Sequence, residues 1–397
     1  MAQILTLNAG SSSIKFALFD ANTLDEPVRG QVEGLGTHPR LSARTANGEE
    51  TDKNLEDGTV GDHASALKAI LALIEASLSD VHIEAVGHRV VHGGLDYAAP
   101  VVIDAERLAD LETLIPLAPL HQPYNLSGIR AAEAAFPDSM QVACFDTAFH
   151  RHHPWVNDTY ALPPKFYDEG IRRYGFHGLS YEYVIQTLQQ IAPAHAAGRV
   201  VVSHLGNGAS MCAIQGGQSV GSTMGFTALD GLPMGTRCGQ LDPGVVLYLM
   251  TEKGLSASEI ETLLYTDSGL KGLSGLSNDM RELEAAGTPQ ARRAIDYFVF
   301  RIRRELGAMA AILAGLDALV FCGGIGENAW RIRECVCQNF GWLGLELDET
   351  LNRAGETIVS SRRSRVRVFI IRTNEELMIA RHTAAKREAA GHSIVVA

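Results

Sequence analysis

The sequence predicts a two-part α/β protein built by duplication, and three observations carry that reading. Strand-like and helix-like segments alternate along the whole chain. At 397 residues it exceeds what one hydrophobic core serves, so two domains follow. Each half is led by a hairpin with a Gly/Asn/Ser tip: "LTLNAGSSSIKFALF" and "VSHLGNGASMCAI" share apolar alternation, an Asn–Gly-type turn and hydroxyls. The expected organisation is an N-terminal domain over residues 1–150 and a C-terminal domain over 151–382. A helix over about 383–397 returns to the first domain, and a ligand cleft lies between the copies.

Taken in order, the opening hairpin spans Ile4–Phe19, and further strands with loops are expected to about Gly61. Asp62 caps an amphipathic helix, "HASALKAILALIEASL". "IEAVGHRVVHGG" reads as a buried strand ending in a glycine turn. Helices over Ala105–Leu114 and Leu126–Ala135 follow, then the strand "MQVACFDTAFH". In the second half, His177 in "RYGFHGLS" stands just before a helix capped by Ser180, and the second hairpin comes next. Helices are expected over Pro243–Lys253, Ala257–Leu264 and Pro289–Leu313. "DALVFCGGIGENAW" reads as strand, glycine turn and helix start, and a last strand runs into a helix with Asn374 at its cap.

A formal net charge of −12 with no basic run disfavours nucleic acid as a partner. Anions can still bind where a few cations converge, because the local field outweighs the net charge. The most apolar stretch, "LGAMAAILAGLDALVFCGG", is broken by Asp317 and glycines and reads as a buried helix entering a buried strand, not a membrane span. The opening "MAQILTLNAG" lacks a basic segment followed by an apolar core, so no secretory leader is expected and the cytoplasm is the expected compartment. The cysteines form no CxxC pair and read as reduced thiols.

A hairpin tip of Gly and Ser offers backbone N–H groups and hydroxyls to a ligand's oxygens, and Lys15 adds a point charge beside it. That chemistry suits a phosphate, and the second copy at His204–Ser210 strengthens the reading. A P-loop pattern and an opening GxGxxG are both absent. The turn "CGGIGEN" opens a helix after a buried strand, which also suits a phosphate or sugar. Arg89 and Arg237 stand beside glycines, where guanidinium forks match carboxylate or phosphate oxygens. Asp146 follows a largely apolar strand, so it is either salt-bridged or part of a site. Magnesium fits better than zinc, since it needs few protein oxygens, and Glu375 and Glu376 in "TNEEL" are candidates.

In combination these motifs stop being generic. "LNAGSSSIKF", "HRVVHGG", "FDTAFH", "RYGFHG", "HLGNGAS", "MGTRCGQLDP", "GGIGEN" and "TNEEL" stand in the order and spacing of the acetokinase family, and the resemblance spans Leu5 to about Arg381. It implies a duplicated ribonuclease-H-like fold of the acetate and sugar kinase, Hsp70 and actin superfamily, working as a homodimer with an interdomain active site. The implied reaction is reversible transfer of the ATP γ-phosphoryl group to acetate, giving acetyl phosphate and ADP. A propionate or other short-chain acyl kinase is the near alternative. An ATP-driven chaperone- or actin-like binding protein is the distant one, and no peptide- or filament-binding segment supports it.

Carried over by position, Asn8 and Glu375 resemble the family's magnesium site, with Mn²⁺ the other hard ion to consider, and Lys15 its ATP-phosphate contact. Ser11 and Ser13 join Lys15 at the same tip. His204, Leu205, Gly206, Asn207 and Gly208, then Asp279, Met280 and Arg281, then Gly324, Ile325, Gly326, Glu327 and Asn328 resemble its nucleotide-binding segments. Arg89 is similar to the substrate-carboxylate arginine. Asp146 matches the residue termed a proton donor or acceptor, and His177 and Arg237 match the transition-state stabilisers. Val91, Leu120 and Phe176 fall on the acyl pocket. The chain departs from the family pattern at Ala228 and Asp230 in "GFTALDGL", at Leu179 and Tyr181 in "GLSY", and in "GTRCGQ". A carboxylic acid with a pKa of roughly 4–5 is already ionised at neutral pH. Asp146 is therefore expected to orient magnesium or an arginine rather than to shuttle a proton.

Overall fold

The computed structural model describes residues 2–56, 60–78 and 81–395, with the side chains of 392–395 outside the description. Residues 396–397 of the expected C-terminal segment lie outside it too. The chain forms two compact units, one of Met1–Phe149 with Asn374–Ala397 and the other of His150–Thr373.

In the first unit, β1 (Ala2–Ala9), β2 (Ser13–Asp20), β3 (Val28–Glu33), β4 (Arg40–Thr45), β5 (Glu50–Asn54), β6 (His82–Val90), β7 (Val101–Val102) and β8 (Met140–Phe145) make one sheet in the order β5-β4-β3-β2-β1-β6-β8-β7. The outer hairpins are antiparallel, while β6 runs parallel to both β1 and β8. In the second unit, β9 (Arg199–Leu205), β10 (Ala209–Gln215), β11 (Gln218–Ser222), β12 (Ala318–Cys322) and β13 (Arg367–Ile370) follow the order β11-β10-β9-β12-β13. Here too a three-stranded antiparallel meander continues into two parallel strands. The series β3-β2-β1-β6-β8 repeats that order and polarity, so the duplication suggested by two hairpins is a duplication of a whole sheet.

Alternation along β1 to β4 sends Leu5, Ile14, Phe16, Val28 and Leu41 to one face, against Leu67, Ile70 and Ile74 of the helix His63–Ser77. Asp62 caps that helix by accepting from the Ser65 N–H, as the sequence predicts. The opposite face presents Ile4, Ala17, Phe19 and Ala85 to Ala380 and Ala384 of the helix Glu375–Val395. Small residues there admit a close approach, closest at Gly87 of β6, where a Cβ would collide with Ile379 and Thr383. In the second unit β9, β10 and β12 are buried on both faces, consistent with their continuous apolar runs. The helix Pro289–Ile312, capped by Thr288, packs on β9 and β10 through Phe298, Ile302 and Leu306.

One element starts differently from its sequence reading. The helix Gly178–Ile191 has His177 at its N-cap in the left-handed conformation (φ +58°), with no side-chain cap bond. Ser180 lies inside the first turn, and its hydroxyl is spent on tertiary contacts described below. No helix among the described residues is long and apolar enough to cross a membrane.

Gly87 tests the closest of these approaches. Gly87→Val forces the C-terminal helix away from β6, and overpacking of this kind costs about 1–3 kcal/mol. The expected outcome is a lower apparent melting temperature of the first unit, with the second unit's transition unmoved in a calorimetric scan.

Candidate active site

In the first unit the chemistry gathers where the parallel strands β1, β6 and β8 end, the edge at which open α/β sheets bind ligands. Asn8 ends β1, Arg89 sits one residue from the end of β6, and Asp146 follows β8 directly, its N–H donating to the Val90 carbonyl at 3.0 Å. The Arg89 Nε lies 3.1 Å from both Asp146 oxygens, and Nη2 donates to Oδ2 at 2.6 Å. Nη1 reaches Asn8 Oδ1 at 3.3 Å, and Glu375, at the start of the C-terminal helix, lies 3.7 Å from Nε. Asp146 is 1 % exposed and Glu375 16 %.

Burial alone lowers an arginine's pKa, but the Asp146 and Glu375 carboxylates more than offset it and keep Arg89 charged. Glu375 is pushed the other way: desolvation raises its pKa, Arg89 lowers it, and the Asp146 charge raises it again. Glu376 is raised by burial and by Glu375. Two acids thus crowd one cation in a site that favours a second positive charge.

The hairpin tip is held from behind. Gly10 N–H donates to Ser13 O at 2.8 Å, Asn125 Nδ2 donates to Ala9 O at 2.7 Å, and His63 Nε2 is 2.8 Å from Gly10 O. Lys15 pairs across the hairpin with Asn8, and Ser11 is exposed on the tip beside Ser13. Asn125 Oδ1 also accepts from the Val91 N–H, so one amide ties the phosphate-type turn to the strand carrying Arg89. Val91 is buried and Leu120 exposed in this unit, whereas Phe176 is buried in the other.

The second unit holds a cavity of about 930 Å³ lined by Gly206, Asn207, Asp279, Arg281, Gly324 and Asn328, with Met280 and Ile325 alongside. That volume is of nucleotide size. Three separate sequence motifs meet there. Met280 lines the cavity although its side chain is largely buried, whereas Leu205 is buried in the core and does not line it. Glu327 turns back, accepting from the N–H groups of Gly323 (2.9 Å) and Thr373 (3.1 Å), and thereby braces the glycine turn. Arg333 donates to the carbonyls of Gly326 and Glu327 at 2.9 Å each. Burial lowers its pKa to about 10, which leaves it charged at neutral pH. Arg237 donates from Nη1 to the Ala228 carbonyl at 3.1 Å, and Gly235 N–H of its loop donates to Asn207 O at 3.0 Å. The 225–231 loop is pinned by the Arg173–Asp230 ion pair at 3.0 Å and by Tyr160 OH, which accepts from Phe226 N–H.

His177 is the most constrained residue of this unit. Its ring stacks on His204 with centroids 4.3 Å apart, and its Nδ1 is 2.8 Å from Ser210 Oγ. Behind it runs a buried chain with a determined direction. His150 Nε2 is 2.9 Å from the Phe176 carbonyl, which can only accept, so Nε2 carries the proton and Nδ1 does not. Ser219 O–H therefore donates to His150 Nδ1, and His153 Nε2–H donates to Ser219 Oγ. His153 Nδ1 is left a buried acceptor without a partner, in agreement with that order. Burial holds both rings neutral, His150 at a pKa of about 4 and His153 at about 2. Sequence reasoning missed Ser219, His150 and His153, and it named Ser210 only as the end of the second hairpin and Tyr181 only as a departure from the family pattern. Ser210 and Ser219 are polar side chains on strands, whereas Tyr181 lies on the helix Gly178–Ile191 and His150 ends a short turn, where no such signal exists.

The duplicated sheet is that of the actin-like ATPase fold, and an arginine–carboxylate cluster in one unit with a nucleotide-sized cavity in the other defines the class as a kinase of that fold. The chain belongs to the acetokinase family, whose profile matches residues 3–381. It is 61% identical over 392 residues to the acetate kinase of Methylocella silvestris (96% of this chain, 97% of the relative). To that of Nitrobacter hamburgensis it is 55% identical over 387 residues, covering 96% of each. Among solved structures it matches Porphyromonas gingivalis acetate kinase with a TM-score of 0.88 at 39% identity, covering 97% of this chain and 99% of that one. A propionate kinase from Francisella tularensis matches with a TM-score of 0.91, also at 39% identity, covering 97% and 100%. Membership makes the chain an ATP-using phosphotransferase whose acceptor is a carboxyl group.

Neutral buried histidines set an acid limit on stability. His150 and His153 have folded pKa values below the ordinary 6.5, so the unfolded chain takes up protons first as pH falls. Their contribution is complete above about pH 6.5 and is lost as pH falls, towards pH 4 for His150 and towards pH 2 for His153, at roughly 1.4 kcal/mol per pH unit for each ring. Urea midpoints of the second unit should fall between pH 6.5 and 5, and His153→Gln should flatten that fall.

Proposed function

We propose that this chain transfers the γ-phosphoryl group of ATP reversibly to acetate, forming acetyl phosphate and ADP. The observation that carries the reading is the Arg89 fork. Asp146 takes an N–H from Nε and one from Nη2, and Asn8 takes one from Nη1. A guanidinium has five N–H donors, so one remains on each terminal nitrogen for a second carboxylate.

In this reading Asp146 sets the plane of Arg89, and Arg89 presents the acid's oxygen in line with the phosphorus. No base is required, because the acceptor is already ionised. Arg237 neutralises, and His177 hydrogen-bonds, charge developing on the transferred group's oxygens, and stabilising that charge is the main task a protein has in phosphoryl transfer. The 930 Å³ cavity takes the nucleoside, with the Gly324–Asn328 turn at its phosphates. Asn8 and Glu375 offer hard oxygens beside a carboxylate excess, the donor chemistry that magnesium takes. When bound, that ion would neutralise phosphate charge. Among the described residues no three His, Cys, Asp or Glu side chains cluster to cage a metal by themselves, which agrees with an ion held largely by phosphate and water.

The second unit also exposes an apolar helix, Pro243–Thr251, none of whose residues is buried; Leu247 is 63 % exposed and Tyr248 52 %. An uncovered apolar helix on a folded unit marks an interaction surface. We assign it to a second copy of this chain, the homodimer that the family resemblance implies.

Kinetic and sedimentation experiments check these readings. ATP consumption should rise with acetate, with acyl phosphate trapped by hydroxylamine. Arg237→Ala should lose about 10²–10³ in turnover, while Arg89→Ala should also raise the KM for acetate; normal turnover in Arg237→Ala contradicts the assignment. Comparing acetate with propionate and butyrate fixes the acyl preference. For the dimer, sedimentation should give two chains per particle, and Leu247→Glu with Met250→Glu should give one.

A further inference from the structure

The two stacked imidazoles of the second unit are tethered in the same way. His177 Nδ1 is 2.8 Å from Ser210 Oγ, and Ser210 Oγ is in turn bonded by Tyr181 OH. His204 Nδ1 is 2.8 Å from Ser180 Oγ, and Ser180 Oγ is 2.8 Å from Thr373 Oγ1. Each ring therefore meets a serine at Nδ1 and a second hydroxyl behind it. Ser180, Tyr181 and Ser210 are all buried, so none of these three can fall back on bulk water.

His177 gains a second restraint through its backbone. It holds a left-handed φ of +58° that a non-glycine residue adopts at a cost, and such strain persists only where the surroundings enforce it. The enforcing contacts are visible. The His150 Nε2–H holds the preceding carbonyl, of Phe176, and the His150 ring meets the Tyr181 ring edge-on at 5.6 Å. Gly175, at φ +74°, leaves room for His150, since a Cβ there would collide with the imidazole. The Nε2 edge of His177 lies against the backbone of Gly208, where any side chain would press on it. Ring position, ring plane and outward atom are therefore all specified, and what remains is the proton.

A serine hydroxyl has one proton to give. If Tyr181 donates to Ser210, Ser210 O–H is left to donate to His177 Nδ1, and the neutral ring must carry its proton on Nε2. Burial pushes the Tyr181 phenol well above its usual range, so the phenol keeps its proton near neutral pH.

We propose that Ser210, backed by Tyr181, is a positioning relay that fixes His177 as the Nε2–H tautomer, so that a neutral N–H donor faces the Gly208 turn. Ser180 and Thr373 do the same for His204. This rests on the reading that the Gly208 turn receives phosphoryl oxygens, which accept hydrogen bonds and would be repelled by a bare imidazole lone pair. Two neutral rings can also stack at 4.3 Å without the repulsion that two cations would suffer. The relay starts from a phenol, which does not change charge near neutral pH.

The test separates tautomer from turnover. Histidine-labelled protein is examined by long-range proton–nitrogen correlation at about pH 8, where the rings are neutral, and His177→Asn assigns the signal. The expected result is a His177 ring protonated on Nε2. Ser210→Ala should mix the two tautomers and lower kcat by about 10- to 100-fold, as loss of an orienting partner does. Its KM values for acetate and ATP should stay within about twofold. Ser210→Thr, which keeps the hydroxyl, should restore the tautomer. Tyr181→Phe, which keeps the ring in place, should shift the balance in the same direction and carries the test if Ser210→Ala does not fold. A His177 protonated on Nδ1, or a tautomer unchanged in both variants, overturns the relay. An Nε2–H ring in a protein without acetate-dependent phosphoryl transfer would uphold the relay and sink the functional reading instead.

Discussion

A guanidinium taken out of water must be matched by carboxylates, and Arg89 meets that constraint at the ends of three parallel strands. Asp146 is almost sealed from solvent and lies directly on the guanidinium. Removing either partner would strand a buried charge. Arg89 lies near the end of one parallel strand and Asp146 directly follows its neighbour, and the register sets them side by side without any loop having to be ordered first. Glu375 then arrives on a helix from the far end of the sequence, packed by small residues against β1 and β6. The acid excess around Arg89 is thus assembled by sheet register and by one close helix approach.

The second unit solves a different problem on the same sheet order. Its polar side chains lie among strands buried on both faces, where an unmatched hydroxyl or imidazole is costly. They are matched in chains: His153 to Ser219 to His150 to a carbonyl, and Tyr181 to Ser210 to His177. Chains of this kind have a direction, because each group has a fixed number of protons to give. The carbonyl end fixes the first chain, and a phenol that stays protonated feeds the second. The consequence is geometric and electronic together, since a ring held in place also has its protonated nitrogen chosen.

The local pieces of the fold were legible because each rests on short-range chemistry. Asp62 before "HASALKAIL" caps a helix, and the apolar run of five residues before glycine is β12. The motif set was specific enough to point to the acetokinase family. Arg89 was singled out by residue type beside glycine, Asp146 at a strand end and Glu375 at a helix start, while Asn8 was carried over from the family resemblance. Ser180 was misplaced as a helix cap, because a serine before a helix usually caps it. Here a left-handed His177 starts the helix and frees the hydroxyl for His204.

The sequence by itself determined the periodicities, the duplicated hairpins and the chemical identity of the site groups, since these depend only on residue type and spacing. Only the tertiary structure decided that Asp146 lies on Arg89 rather than on a lysine, that Glu327 turns inward, and that Tyr181 reaches His177 through Ser210. Most of those pairings join residues tens of positions apart. Their partners are selected by sheet register and burial, and no local pattern encodes either.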